Sequence, residues 1–129
     1  MPQQVLVVDD ETAVASMLKS ILETHGHSVV TAGSAAEAQQ ALATNGFDVV
    51  LTDMRMENND AGYEVVRAAK ARPRPPAVVI LTAFPMLAQH WREAGADAVL
   101  PKPTSMNQLL EVVEKFRPRE EPGPAGNGM

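Results

Sequence analysis

Five short apolar runs alternate with stretches of helical periodicity along this chain, and four of the five run into a residue able to do chemistry. Residues 5–8 (VLVV) lead into Asp9 and Asp10, and residues 49–51 lead through Thr52 to Asp53. Residues 78–81 end at Thr82, and 98–100 are followed by Pro101 and Lys102. A continuous β-branched run is what a strand buried on both faces requires, because neither face can carry polar groups. Between the runs, Val14, Leu18, Ile21 and Leu22 recur at helical spacing over 12–25, and Gly26 stands where a helix stops. A short second strand is expected over 28–31. Ser34 and Glu37 then have the form of a capping box, opening a helix that runs towards Gly46. Further helices are expected over 63–71, stopped by Pro73, Pro75 and Pro76, over 85–94, closed by Gly95, and over 106–116, with Leu109, Leu110, Val113 and Phe116 as the apolar face. Strict β–α alternation implies an α/β domain: a parallel sheet with helices on both faces, functional groups gathering at the carboxyl ends of its strands.

From Arg117 onward Pro, Gly, Arg and Glu dominate and the periodicity is lost, so the domain is expected to occupy 1–117 and a flexible tail 118–129. A chain of 129 residues suits one compact domain. Its formal charge of −5 argues against direct binding to nucleic acid or an anionic membrane, and the absence of cysteine removes disulfides, thiolate metal sites and cysteine nucleophiles. No apolar run approaches the ~20 residues that span a bilayer, and Asp9, Asp10 and Glu11 interrupt any signal-peptide pattern, so a cytoplasmic location is expected.

Three carboxylates converging on one sheet edge repel one another unless a cation intervenes. With no His or Cys beside them, such oxygens suit Mg²⁺, which accepts one or two carboxylates together with a phosphate oxygen. A hydroxyl and an ammonium opposite can stabilise the remaining phosphoryl oxygens, and a carboxylate can itself be the nucleophile. The residues therefore read as an Mg²⁺-assisted phosphoryl acceptor. His25, His27 and His90 have no ligand spacing and are expected in surface or capping roles.

Over residues 4–117 the chain resembles the receiver domain of two-component response regulators. The resemblance rests on Val7-Val8-Asp9-Asp10-Glu11, Leu51-Thr52-Asp53-Met54, Leu81-Thr82-Ala83, and Gly95-Ala96-Asp97 followed by Lys102-Pro103. It implies a flavodoxin-like fold, a five-stranded doubly wound parallel sheet in the order 2-1-3-4-5 with five helices. It also implies Asp53 as phosphoacceptor, and Asp10 as a direct Mg²⁺ ligand with Asp53 and the backbone carbonyl of Arg55, Asp9 acting through water. Thr82 would be the switch hydroxyl and Lys102 the partner of a phosphoryl oxygen, with a cis bond before Pro103. The implied phosphodonor is a sensor histidine kinase or phosphotransfer protein, docking near Met17 and Ala13, and the output is an unidentified protein target. Such a domain phosphorylates and slowly dephosphorylates itself and is not an enzyme on external substrates. A homodimer through the fourth helix, fifth strand and fifth helix is common in the family that the chain resembles.

Four features depart from the family pattern. Glu57 stands where proline is usual, and Gly62 lies nine residues beyond Asp53, one more than usual. The segment between Thr82 and Gly95 is short, and Val99 replaces the usual aromatic. Alternative readings are a receiver-like interaction module that is not phosphorylated, or a receiver that is a fragment of a longer regulator. A flavin-binding protein is disfavoured because Asp9, Asp10 and Glu11 would repel a phosphate, and an aspartyl phosphatase because no cap domain fits.

Overall fold

A computed structural model describes residues 3–116; the tail expected over 118–129 lies outside the described residues. The elements are β1 (Gln4–Val8), α1 (Thr12–Thr24), β2 (Ser28–Ala32), α2 (Ala35–Thr44), β3 (Val49–Asp53), α3 (Ala61–Lys70), β4 (Ala77–Thr82), a 3₁₀ turn (Pro85–Ala88), α4 (Trp91–Ala94), β5 (Ala98–Pro101) and α5 (Met106–Lys115). The five strands are parallel in the order 2-1-3-4-5.

The continuous apolar runs have the expected consequence: successive side chains feed two separate cores. Leu6, Val8, Val50, Val78 and Ile80 point to one face and pack with Leu42 of α2 and Val65 and Val66 of α3. Val5, Val7, Val49, Leu51, Val79 and Leu81 point to the other, against Leu18 and Leu22 of α1 and Leu109 and Val113 of α5. Each fully buried side chain of this size contributes roughly 1.5–3 kcal/mol, so a one-residue slip in register would exchange the partners of both layers.

Helix ends follow the local chemistry. Ser34 Oγ accepts the Glu37 N–H at 3.1 Å, while the Glu37 carboxylate reaches back to the Gly33 N–H at 2.9 Å, a capping box displaced by one residue. Gly26 adopts φ +91°, a conformation that a side chain would strain, and lets the chain leave α1. The helix expected over 85–94 is not continuous: the 3₁₀ turn and α4 are separated at Gln89 and His90. The reason is tertiary, since the His90 N–H donates to the Tyr63 hydroxyl of α3 at 3.1 Å instead of to a carbonyl one turn back. The third helix starts at Ala61, two residues ahead of the expected Tyr63.

Candidate functional site

The sheet register assembles the site. Val8 lies opposite Thr52, so the next residues out, Asp9 and Asp53, come side by side at the carboxyl edge. Thr82 lies opposite Pro101, which brings Lys102 to the same edge one residue later, its N–H bonded to the Thr82 carbonyl at 2.9 Å. Lys102 Nζ then donates to Asp9 Oδ2 at 2.7 Å and to Asp53 Oδ2 at 3.2 Å. Its side chain is only 17% exposed and those of the two aspartates 2% and 12%, so the triad is held largely out of water. The other Asp9 oxygen accepts the Glu11 N–H at 2.9 Å. Asp10 is exposed, and carboxylate oxygens of Asp9, Asp10 and Asp53 lie within 4.8 Å of one another. That donor set, all hard oxygens and without nitrogen or sulfur, fits a hard divalent cation.

The charges are tuned by the same packing. Burial pushes the Asp53 carboxyl above its ordinary value; Lys102 pulls it down and Asp9 pushes it up further, and the raising influences prevail. For Lys102, burial works against the ammonium, but the hydrogen bonds and charges of Asp9 and Asp53 outweigh it and raise its affinity for the proton. Lys102 thus stays cationic between two acids, and the Asp53 anion is left under-compensated.

An open depression of about 370 Å³ lies beside these groups, bordered by Asp10, Asp53, Arg55, Phe84 and Lys102. Across its mouth the Arg55 guanidinium sits 5.4 Å from the centre of the Phe84 ring. Thr82 is buried at the end of β4, and its Oγ1 accepts the Phe84 N–H at 2.9 Å. The structure therefore joins Asp9, Asp53 and Lys102 by direct bonds and sets Asp10 beside them. Arg55 borders the depression, and the Thr82 hydroxyl is engaged by the backbone of the following loop. The Lys102–Pro103 peptide bond is cis, as the resemblance implied. Each histidine is engaged by a protein neighbour: His25 Nδ1 lies 3.0 Å from the Ile21 carbonyl, His27 Nδ1 accepts the N–H of Gln3, just ahead of β1, and His90 faces Glu93.

A model of the response regulator receiver domain matches residues 5–114. The chain belongs to that family. It is 35% identical over 124 residues to response regulator MprA from Mycobacterium sp. (strain KMS), covering 95% of this chain and 54% of that protein. The Mycobacterium bovis (strain BCG / Pasteur 1173P2) response regulator MprA is 32% identical over 131 residues. Among solved structures, the CheY-like receiver domain from Methanospirillum hungatei JF-1 superposes with a TM-score of 0.80 at 29% identity, over 90% of this chain and 94% of that one. Chemotaxis response regulator CheY4 of Vibrio cholerae gives 0.80 at 28% identity, over 90% and 99%. Receiver domains use Mg²⁺ at an acidic pocket, and in this receiver the corresponding feature is the cluster of Asp9, Asp10 and Asp53. Among the described residues no helix is long and apolar enough to cross a membrane.

Two residues beyond Asp53 make contacts that carried no signal in the sequence. Gly62, noted only for its spacing, presses the start of α3 onto the segment after Asp53: a Cβ there would lie 2.7 Å from Met54 Cα and 2.9 Å from the Asp53 carbonyl oxygen. Glu57, noted only as a departure, reaches across to α2, where its carboxylate accepts the Ala35 N–H at 3.1 and 3.3 Å. Neither contact follows the period of a helix or strand, so no periodicity announces it.

Proposed function

We propose that this receiver is a phosphorelay switch in which Asp53 accepts a phosphoryl group from a sensor histidine kinase or phosphotransfer protein. An Asp53 carboxylate oxygen attacks the phosphorus of a phosphohistidine, the P–N bond breaks, and an acyl phosphate is left on Asp53. The observation that carries this reading is the Lys102 ammonium bonded to both Asp9 and Asp53 beside an exposed Asp10. Lys102 is the group that pairs with a phosphoryl oxygen as charge builds. Mg²⁺ would be held by Asp10, Asp53 and the backbone carbonyl of Arg55, with Asp9 acting through water, and it supplies neutralisation of the clustered acids and of the incoming phosphate. Both Asp9 oxygens are already engaged by Lys102 and the Glu11 N–H, which supports the indirect role.

The phosphodonor is proposed to dock beside α1. Ala13 and Met17 are exposed there, and Met17 borders an apolar groove with Val14 and Pro103. The same protein context implies a cytoplasmic switch that hydrolyses its own acyl phosphate slowly and signals to another protein. The acidic balance supports a protein target over direct contact with nucleic acid. The chain spans 54% of the length of its mycobacterial relative.

Millimolar Mg²⁺ is expected to raise the melting temperature, because a dication relieves repulsion among three acids and binds only the folded state. Asp10→Ala should lose that increment almost entirely and Asp9→Ala less of it. A melting temperature indifferent to Mg²⁺ would refute the metal site. For the switch itself, Thr82 is bonded to the Phe84 N–H, so drawing its hydroxyl towards a phosphoryl group must release that amide and shift the turn leading to α4. Trp91 of α4 packs against the core on the side that also receives Val99. Its fluorescence should change on adding Mg²⁺ with a phosphoryl mimic. That response should vanish in Thr82→Ala and survive in Val99→Ala; the reverse pattern would make β5 the transmitter.

A further inference from the structure

The loop between Asp53 and α3 is held from several directions. Its start is fixed by the Met54 N–H to the Leu81 carbonyl at 3.2 Å and by the Gly62 N–H to the Met54 carbonyl at 2.8 Å. Its far part is fixed through Asn58, whose Oδ1 accepts the Asp60 N–H at 2.8 Å and whose Nδ2 donates to Glu64 at 3.2 Å. Arg55, Met56 and Glu57 lie between, and Glu57 is the residue of this stretch that leaves the loop to bond another element. Its carboxylate accepts the N–H of Ala35, the first residue of α2, at 3.1 and 3.3 Å. The N-terminus of a helix presents unpaired N–H groups and partial positive charge, so an anion there is favoured. Ser34 Oγ already satisfies the Glu37 N–H and Glu37 already bonds Gly33, which leaves the Ala35 amide to a residue from outside the helix.

We propose that Glu57 is a positioning residue for the metal-binding loop: by tying the loop to α2 it holds the Arg55 backbone for Mg²⁺ and couples the site to the first turn of α2. This rests on the acceptor-site reading above. A loop ordered before the ligand arrives does not lose that freedom on binding, so the anchor appears as affinity. Coupling is also reciprocal: if the Glu57–Ala35 bond favours the metal, the metal must favour the bond.

The test uses the whole chain and Mg²⁺ alone. Dissociation constants come from calorimetry, and exchange of the Ala35 amide is followed with and without metal. Glu57→Ala should weaken Mg²⁺ binding about three- to tenfold, with Glu57→Gln between it and the unmodified chain, because the amide oxygen still accepts but the charge is lost. Ala35→Pro removes the donor from the opposite side, and its ring carbon takes the place of the amide hydrogen, so the Glu57 carboxylate is displaced from α2 while its charge is kept. Proline suits the first helical position, and Ser34 before it is already extended at φ −158° and ψ 167°. It should reproduce the loss, and Glu57→Ala added to it should cost nothing more. In the unmodified chain Mg²⁺ should slow exchange at Ala35, and in Glu57→Ala it should not. A Glu57→Ala protein with unaltered Mg²⁺ affinity, or an Ala35 amide indifferent to the metal, would overturn the anchor while Asp10→Ala still abolishes binding. If the unmodified chain takes up no Mg²⁺, the acceptor-site reading falls first and the anchor with it.

Discussion

Asp53→Asn should abolish phosphoryl incorporation: a small phosphodonor with Mg²⁺ adds one phosphoryl group to the unmodified chain and none to the variant. The amide keeps the shape of the carboxylate but has no anionic oxygen to attack phosphorus. Asp9 cannot substitute, because it is buried with one oxygen on Lys102 at 2.7 Å and the other on the Glu11 N–H at 2.9 Å. The variant should fold well. Burial raises the Asp53 pKa in the folded state, so its ionised form opposes folding above the ordinary carboxylate range, and a neutral amide removes that opposition. Lys102 retains Asp9 as its partner. The melting temperature of Asp53→Asn in chelator should therefore match or exceed that of the unmodified chain. Intact-mass measurement decides the matter: equal labelling of the two proteins would remove Asp53 from the acceptor role.

Gly62→Ala should destabilise the fold although it improves helix propensity. Replacing glycine by alanine inside a helix gains up to about 1 kcal/mol. Here the new Cβ would lie 2.7 Å from Met54 Cα and 2.9 Å from the Asp53 carbonyl oxygen, both backbone atoms that cannot swing aside. Overpacking of this kind costs about 1–3 kcal/mol, and more where backbone must shift, so the clash wins. The displaced backbone is that of Asp53 and its neighbour, so Mg²⁺ affinity should fall together with the urea midpoint. A higher midpoint would mean that α3 moves away freely and that the close approach has no role in placing the acceptor.

The fold was largely legible because its signals are local. An apolar run such as 78–81 has few places to go other than a doubly covered strand, and the run and the helix after it set chain direction. The acid, hydroxyl and lysine positions were legible for the same reason, since each follows a strand. The fourth helix was misjudged because helical spacing over 85–94 says nothing of Tyr63, whose hydroxyl takes the His90 N–H and breaks the ladder.

Alternation and strand-end chemistry in the sequence alone thus determined an α/β sheet with Asp9, Asp10, Asp53, Thr82 and Lys102 on one edge. Only the tertiary structure decided how they are connected: that Lys102 bridges Asp9 and Asp53, that the Thr82 hydroxyl is held by the Phe84 amide, and that Glu57 reaches α2. Backbone periodicity is written within a few residues, whereas a hydrogen bond between Lys102 and Asp9 spans 93 positions and depends on how every intervening element packs.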